Sequence, residues 1–280
     1  MRLKHNRAAI LYDFDGTLTP KYMHDYDFFP ELKIDADSFW QEVRAKAREM
    51  DGDQTLAYMY LMVKYAREKA GVQLTENRFR EFGRKVEFFP GVEGWFDRMN
   101  QFADSIGLVL EHYIVSSGVK EMIEGTTIAD KFKRIYACAF HYDPDTGLAD
   151  WPILNVNYTT KTQYIYRISK GVLNNWDGAG LNRRMAAGEE FAVPIRNMLY
   201  LGDGETDVPG MKAVRQYDGH AVAVYDHENI NKVQESQKLV QDDRVDAAKH
   251  ADYSEESLLD EYVKAVLREI QAHEVKLALE

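Results

Sequence analysis

The amino-acid sequence predicts an α/β fold, a parallel sheet core with a small α-helical cap inserted after the first strand. Short continuous apolar runs are typical of strands buried on both faces, and each run here ends in a polar or glycine-containing turn. Segments with helical periodicity separate the runs, and this alternation forms parallel sheets with right-handed crossovers. The predicted strands are residues 8–12, 108–115, 198–201 and 221–225.

Three helical patterns follow one another in residues 21–87, and they predict the cap. Ser38 and Gln41 match a capping box for the first helix. Asp53 is placed to cap the second helix, and Thr75 to start the third. We interpret the Met and aromatic side chains of these helices as packing residues rather than as a cofactor site. The side chains expected to face inward are Phe39, Val43, Ala47, Met50, Leu56, Met59, Tyr60, Val63, Phe79, Phe82 and Val86.

The remaining segments complete the α/β body. The Phe-Phe-Pro-Gly sequence of residues 88–91 marks the return from the cap. We predict irregular strands or a hairpin between residues 134 and 157, a loop or broken helix over residues 174–194, and an amphipathic helix from Ser254 onward. The predicted domains are an α/β core of residues 1–20 and 88–280 and a helical cap of residues 21–87.

The composition excludes several classes of protein. Among 280 residues, 46 acidic side chains outnumber 35 basic ones, and the net charge of −11 disfavours binding to nucleic acid or to anionic lipid. No apolar stretch approaches the ~20 residues of a membrane span, and residues 8–12 are too few for a signal peptide. We therefore expect a cytoplasmic protein. The single cysteine, Cys138, lies between two alanines and is expected in a buried strand.

Four carboxylates follow the ends of two predicted strands. Asp13 and Asp15 come directly after the first strand, and Asp203 and Asp207 follow the strand of residues 198–201. Ligands of open parallel sheets bind at the carboxyl ends of the strands, so these side chains are expected to converge. Crowded carboxylates repel one another unless a cation lies between them. Mg²⁺ prefers oxygen ligands, and the sequence therefore predicts a magnesium site.

Two further residues suit a phosphate group. Ser116 supplies a hydroxyl at a predicted helix start, where free N–H groups favour an anion. Lys161 lies at the start of another predicted helix and supplies a positive charge. Ser117 is the alternative to Ser116, and Lys170 is the alternative to Lys161. Together with the carboxylates, these residues predict a phosphoryl-transfer site.

Four motifs resemble those of haloacid dehalogenase (HAD) superfamily phosphatases. Asp-Phe-Asp-Gly-Thr at residues 13–17 resembles motif I, and Ile-Val-Ser-Ser-Gly at residues 114–118 resembles motif II. Lys161 matches the lysine of motif III. Leu-Gly-Asp-Gly-Glu-Thr-Asp at residues 201–207 resembles motif IV. The motifs occur in the family's order, and the predicted cap lies where the phosphoserine-phosphatase-like branch has one. The resemblance implies a Rossmann-like core, the HAD fold.

The same resemblance implies a role for each residue. Asp13 would be the nucleophile and Asp15 the proton donor. Mg²⁺ would bind Asp13, Asp203 and the main-chain carbonyl of Asp15. Asp207 would bind the ion either directly or through water. Ser116 and Lys161 would bind the phosphoryl group of a small phosphorylated metabolite.

Superfamily members with other activities differ in features that can be recognised in the sequence. A dehalogenase needs no proton donor at the position of Asp15, and a P-type pump needs membrane spans. A phosphomutase and a catalytically idle binding protein with the same fold remain alternatives. Phosphoserine phosphatases usually carry an acidic residue shortly after motif I, where this chain has Lys21 and Tyr22. We therefore expect Lys21 or Tyr22 to meet a different leaving group.

Overall fold

Seven strands form one sheet in the computed structural model, which describes residues 3–68, 71–186 and 188–280. The strands are β1 (Arg7–Tyr12), β2 (Val109–Val119), β3 (Arg134–Tyr142), β4 (Ala149–Leu154), β5 (Met198–Gly202), β6 (His220–Tyr225) and β7 (Ala247–His250). Their order is β4-β3-β2-β1-β5-β6-β7, and all neighbours run parallel except β3 and β4. The predicted α/β fold class is confirmed.

Strand β1 lies at the centre of the sheet, between β2 and β5. Its last residue, Tyr12, lies opposite Ile114 of β2 and Leu201 of β5. The chain adds β2 and β3 on one side of β1 and then β5 and β6 on the other, so the strand order reverses between β1 and β5. Open α/β sheets bind ligands at the carboxyl ends of strands beside such a reversal.

Helices cover the sheet and form the insert. They are α1 (Phe28–Leu32), α2 (Ala36–Met50), α3 (Gln54–Glu68), α4 (Glu76–Gly83), α5 (Val92–Ser105), α6 (Lys120–Glu124), α7 (Tyr158–Lys170), α8 (Gly178–Asn182), α9 (Val208–Arg215), α10 (Ile230–Gln241) and α11 (Leu258–Leu279). Helix α5 packs against β2 and α11, whereas α9 packs against β5, β6 and α7. Right-handed crossovers in opposite directions place α5 and α9 on opposite faces of the sheet. None of the described helices has the length and apolar character that crossing a bilayer requires.

Helices α1 to α4 lie between β1 and α5, where the helical insert is predicted. The capping box predicted from Ser38 and Gln41 is wrong, because α2 begins earlier. Asp35 is the N-cap, and its Oδ1 accepts a hydrogen bond from the Ser38 backbone N–H at 2.9 Å. The predicted caps Asp53 and Thr75 are confirmed, since each accepts a backbone N–H from the first turn of α3 or α4.

Most of the side chains predicted to face inward are buried, but Met50, Leu56 and Tyr60 are exposed. Met50 is the last residue of α2. Leu56 and Tyr60 lie one turn apart on the solvent face of α3, whose opposite face buries Tyr58 and Met62. The insert contacts the body through α4 against α6 and through α3 against β4. The division into a core and a cap stays a prediction.

The edges of the sheet confirm some predictions and extend others. Strands β3 and β4 form the predicted hairpin, and Cys138 is buried in β3. The short helix α8 lies within the predicted loop or broken helix. The tail helix α11 begins at Leu258, with Ser257 as its N-cap, rather than at Ser254. Strand β7 was not predicted, because its four residues are only partly buried and lack an apolar run.

A buried chain of hydrogen bonds connects β1, β2 and α5. Trp95 Nε1–H donates to the Tyr12 hydroxyl at 2.9 Å, and that hydroxyl lies 2.9 Å from His112 Nδ1. Burial lowers the pKa of His112 from 6.5 to about 3, which favours the neutral imidazole. Asn100 Oδ1, 3.2 Å from Nε2, can only accept a hydrogen bond, so Nε2 carries the proton of the neutral ring and Nδ1 accepts from the Tyr12 hydroxyl.

We expect the free-energy cost of His112→Phe to shrink as the pH falls. Folding of the wild-type protein excludes a proton from His112. Its free energy of unfolding therefore decreases as the pH falls below the unfolded-state pKa of about 6.5, and this group contributes roughly 1.4 kcal/mol per pH unit. The phenylalanine variant has no such dependence. Urea unfolding of both proteins at about pH 7, 6 and 5 measures the difference. If the difference in the free energy of unfolding between the two proteins did not change with pH, His112 would be protonated in the folded protein. The control is His273→Phe, at an exposed position.

Candidate active site

The carboxyl ends of β1, β2 and β5 bring the predicted site residues to one edge of the sheet. Asp13 and Asp15 follow β1, Ser116 lies near the end of β2, and Asp203 follows β5. These four residues line one cleft with a volume of about 570 Å³. Asp207, the residue before α9, and Lys161, in the first turn of α7, are fully buried.

Three of the four carboxylates form a cluster. One oxygen each from Asp13, Asp203 and Asp207 lies within 4.8 Å of the others. Asp15 points elsewhere, and its Oδ1 accepts a hydrogen bond from the Met23 backbone N–H at 2.8 Å. The structure therefore separates the two carboxylates of motif I into different surroundings.

A buried ammonium group lies beside the cluster. Lys161 Nζ donates to Asp207 Oδ1 at 2.6 Å and lies 3.1 Å from Asp13 Oδ1. The Tyr200 hydroxyl donates to the same Asp207 oxygen at 2.8 Å. Burial alone would lower the pKa of Lys161, but the charges of Asp13 and Asp207 outweigh it and raise the pKa. Lys161 is therefore charged.

The alternative lysine, Lys170, does not reach the cluster. It lies in the last turn of α7, where its Nζ donates to the backbone oxygens of Leu181 and Arg183 at 2.6 and 2.9 Å. Of the two candidate lysines, the structure brings only Lys161 to the carboxylates.

The remaining carboxylates have raised pKa values. Burial and the neighbouring charge of Asp13 raise the pKa of Asp15 well above its usual range. Burial also raises the pKa of Asp203 and Asp207, and Asp13 adds to both effects. Burial and mutual repulsion therefore disfavour ionisation of these three carboxyl groups, and a cation would relieve both effects.

Two glycines allow the carboxylates to approach the backbone. Gly16 has a φ of +75°, and a Cβ atom there would lie 2.3 Å from Asp203 Oδ2. A Cβ atom on Gly202 would lie 2.5 Å from Asp207 Oδ2. Any larger residue at either position would displace a carboxylate of the cluster, and at Gly16 it would also be strained.

The motif II residues lie in a strand rather than at a helix start. Strand β2 continues to Val119, and α6 begins only at Lys120, so the predicted helix start at Ser116 is wrong. Ser116 is buried, and its Oγ accepts a hydrogen bond from the Gly118 backbone N–H at 3.0 Å. Ser117 Oγ is also buried and has no hydrogen-bond partner in the described part of the chain. Both hydroxyls remain candidates for binding an anion.

Lys232 belongs to this site, although the sequence analysis did not identify it. Its Nζ donates to Asp203 Oδ2 at 2.9 Å, and the charge of Asp203 raises the pKa of Lys232 against the opposing effect of burial. Like Lys161, Lys232 lies in the first turn of a helix, here α10 after β6. Its position shortly after the predicted strand of residues 221–225 is the sequence signal that could have identified Lys232.

The cluster fits an oxygen-binding divalent cation. Asp207 Oδ2 is buried and has no hydrogen-bond partner among the residues described, and Asp13 Oδ1 contacts Lys161 without hydrogen-bond geometry. These buried oxygens can therefore accept a cation without losing a hydrogen bond. Hard cations such as Mg²⁺ bind carboxylate oxygens of this kind.

Comparisons with known proteins identify the fold. No family model matches the sequence. An uncharacterized protein of Borreliella burgdorferi is 28% identical in an alignment of 279 positions. That alignment covers 91% of this chain and 94% of that protein. A HAD family hydrolase from Salmonella enterica subsp. enterica serovar Typhi superposes with a TM-score of 0.58 at 14% identity, over 94% of this chain and 72% of its own. The chain has the haloacid dehalogenase fold.

Phosphoserine phosphatases share this HAD fold. One solved structure, an analogue of the phospho-aspartyl intermediate of phosphoserine phosphatase, has a TM-score of 0.54 at 15% identity over 93% of this chain and 99% of its own. A substrate-bound phosphoserine phosphatase has a TM-score of 0.53 at 14% identity, over 93% of this chain and 99% of its own. The HAD fold implied by the four motifs is confirmed.

We expect Lys161→Met to destabilise the protein strongly in the absence of divalent cations. It leaves Asp13 and Asp207 buried without a counter-charge, and breaking a buried ion pair costs about 3–5 kcal/mol. Lys170→Met removes hydrogen bonds to two backbone oxygens at a partly buried position, at a cost of about 1–3 kcal/mol. Urea unfolding measures both, and equal costs would contradict a charged Lys161 in the cluster.

Proposed function

We propose that this protein is a Mg²⁺-dependent phosphomonoester hydrolase that acts on a small phosphorylated metabolite through an aspartyl-phosphate intermediate. The observation that carries the proposal is the separation of the motif I carboxylates. Asp13 lies in the cluster with Asp203, Asp207 and Lys161, whereas Asp15 lies outside it with a raised pKa. A nucleophile must be ionised and a proton donor must start protonated. The Lys161 ammonium beside Asp13 supplies a counter-charge, and the raised pKa of Asp15 suits the donor.

The first step transfers the phosphoryl group to Asp13. A carboxylate oxygen of Asp13 attacks phosphorus, the ester P–O bond breaks, and the leaving alkoxide takes the proton of Asp15. Met23, which donates to Asp15 Oδ1, fixes the direction of that carboxyl group. The products of this step are the free alcohol and a phosphorylated Asp13.

The second step returns the enzyme to its starting state. The ionised Asp15 takes a proton from water while the water oxygen attacks phosphorus. The bond between phosphorus and the Asp13 oxygen breaks, inorganic phosphate leaves, and Asp15 is protonated again. A phosphomutase would instead give the phosphoryl group to a second hydroxyl.

The remaining residues hold the transferred group and the metal. Asp13, Asp203 and Asp207 are the residues that would hold Mg²⁺, with the main-chain carbonyl of Asp15 implied by motif I. When bound, the ion neutralises charge on the phosphoryl oxygens. Ser116 and Lys161 are suited to the other phosphoryl oxygens, since one supplies a hydroxyl at the cleft and the other a buried positive charge.

We expect turnover of p-nitrophenyl phosphate with Mg²⁺ and none after chelation. Asp13→Asn should reduce turnover to background because no nucleophile remains. Asp15→Asn should reduce it by about 10²- to 10⁴-fold, the usual contribution of general acid–base catalysis. The matched control is Asp145→Asn in the exposed β3–β4 turn, which should retain full activity. Turnover that survives Asp13→Asn would refute the mechanism, and conversion of a sugar 1-phosphate to its 6-phosphate would identify a mutase.

We also expect Mg²⁺ to raise the unfolding temperature of the protein. A ligand that binds only the folded state stabilises that state by about 2.7 kcal/mol when its concentration is about a hundred times Kd. Asp203→Asn should reduce this effect, since it removes one ligand of the cluster, whereas Asp145→Asn should not. Thermal unfolding with and without Mg²⁺ measures the effect independently of activity. Equal stabilisation of wild type and Asp203→Asn would place the cation elsewhere.

A further inference from the structure

Beyond the carboxylates, the cleft has an aromatic wall made of Tyr22, Trp40 and Tyr58, which we call the aromatic slot. The ring centroids of Tyr22 and Trp40 are 5.6 Å apart, and those of Trp40 and Tyr58 are 5.8 Å apart. Tyr22 is 53% exposed and Trp40 is partly exposed, so aromatic surface faces the open cleft. Lys21, the other residue expected to meet a leaving group, is absent from the cleft lining.

The rings of the aromatic slot pack against a buried histidine, His24, which also lines the cleft. The His24 ring lies edge-to-face with Trp40 at 5.7 Å and with Tyr58 at 5.3 Å, and it stacks on Phe29 at 5.8 Å. His24 is only 2% exposed, and neither ring nitrogen has a hydrogen-bond partner among the described residues. This neutral ring therefore serves as packing that fixes Trp40 and Tyr58 in place.

Two hydrogen bonds connect the aromatic slot to the reacting groups. The Tyr58 hydroxyl donates to the Ser117 backbone oxygen at 2.7 Å, next to the phosphate-binding candidate Ser116. Met23, between Tyr22 and His24, donates its backbone N–H to Asp15. The slot is thus fixed relative to the proton donor, and the leaving group receives its proton from that donor. A group esterified to the phosphate would extend from Asp15 into the slot.

The charges around the slot do not select a charged leaving group. Asp37, Arg44, Glu205, Lys232 and Glu235 also line the cleft, so charges of both signs are present, and Lys232 is already paired with Asp203 and Glu235. Trp40 Nε1 and Ser117 Oγ are buried there without hydrogen-bond partners in the described ranges. A flat ring with polar substituents matches aromatic walls and polar groups of this kind, and the volume of about 570 Å³ admits a phosphate with a ring attached.

We infer that the aromatic slot binds the leaving group of the substrate, and that the substrate is a phosphate monoester of a planar aromatic or heteroaromatic alcohol. The inference rests on the proposed hydrolase function and adds the class of substrate. Tyr22 and Trp40 are specificity-determining residues in this scheme, since they contact the alcohol and not the phosphoryl group.

A matched pair of substrates tests the inference. Benzyl phosphate and cyclohexylmethyl phosphate have leaving alkoxides of similar basicity and similar size, but only the first is aromatic. We expect kcat/KM to favour benzyl phosphate by about tenfold, the equivalent of about one to two aromatic contacts. Trp40→Leu should reduce the preference to about twofold or less, and Trp176→Leu, at an 82% exposed position outside the cleft, should leave it unchanged. Tyr22→Leu, at a more exposed position, should also weaken the preference and replaces Trp40→Leu if that variant does not fold.

Several outcomes would overturn the inference. Equal kcat/KM values for the two esters, or a preference that persists in both leucine variants, would show that the slot does not read aromatic rings. A stronger preference for phosphocholine would assign the slot to a quaternary ammonium group, which aromatic faces also bind.

Binding of benzylphosphonate and cyclohexylmethylphosphonate, which cannot be hydrolysed, separates this inference from the proposed function. Preferential binding of benzylphosphonate that depends on Trp40, without turnover of any ester, would refute the hydrolase and uphold the slot. Turnover without aromatic preference would uphold the hydrolase and refute the slot. Neither turnover nor preferential binding would refute both.

Discussion

The structure depends on the crowding of four carboxylates at one edge of the sheet. Like charges in a buried place repel, and a buried ammonium group, that of Lys161, lies within reach of two of these carboxylates. The Tyr200 hydroxyl donates a hydrogen bond to Asp207, and the charge of Lys232 offsets that of Asp203. The pairing of β1 with β5 brings the carboxylates together, because Tyr12 lies opposite Leu201 and the two strands end at Tyr12 and Gly202, just before Asp13 and Asp203. The proposed Mg²⁺ would offset the negative charge that these protein groups leave uncompensated.

The proposed chemistry and the proposed specificity share one short segment of the chain. Residues 13–24 leave β1, pass the proposed proton donor Asp15, and reach the aromatic wall at Tyr22. The hydrogen bond from Met23 to Asp15 connects the two functions directly. On the opposite side, Tyr58 holds the backbone of Ser117. A change in the insert can therefore alter the position of a reacting group, and substitutions there combine effects on affinity with effects on rate.

The sequence predicted the parts of the molecule that depend on local patterns. Buried runs followed by Asp13 and Asp203 are readable because strand burial and acidic turns both leave signals within a few residues. The contribution of Lys232 was not predicted, because it depends on how α10 packs against β6 and β7 and reaches Asp203, and no local pattern records that. The N-cap Asp35 was missed because Ser38 offers an equally good local signal one turn later. Trp40 lies next to the core residue Phe39, yet it faces the cleft. Apolar periodicity along a helix predicts which side chains enter the core, but it does not predict which of the others line a cleft.

The central position of β1 also determines when the site can form during folding. Ala9 pairs with Met198, about 190 residues further along the chain, and a chain emerging from the ribosome presents β1 long before β5 exists. Pairings so distant in sequence are slow to form, because the entropy of closing the loop is lost before the contact stabilises anything. Until β5 arrives, one edge of β1 is unpaired and apolar, and such edges invite association with other chains. The acidic cluster cannot assemble before this pairing, because Asp203 and Asp207 follow β5.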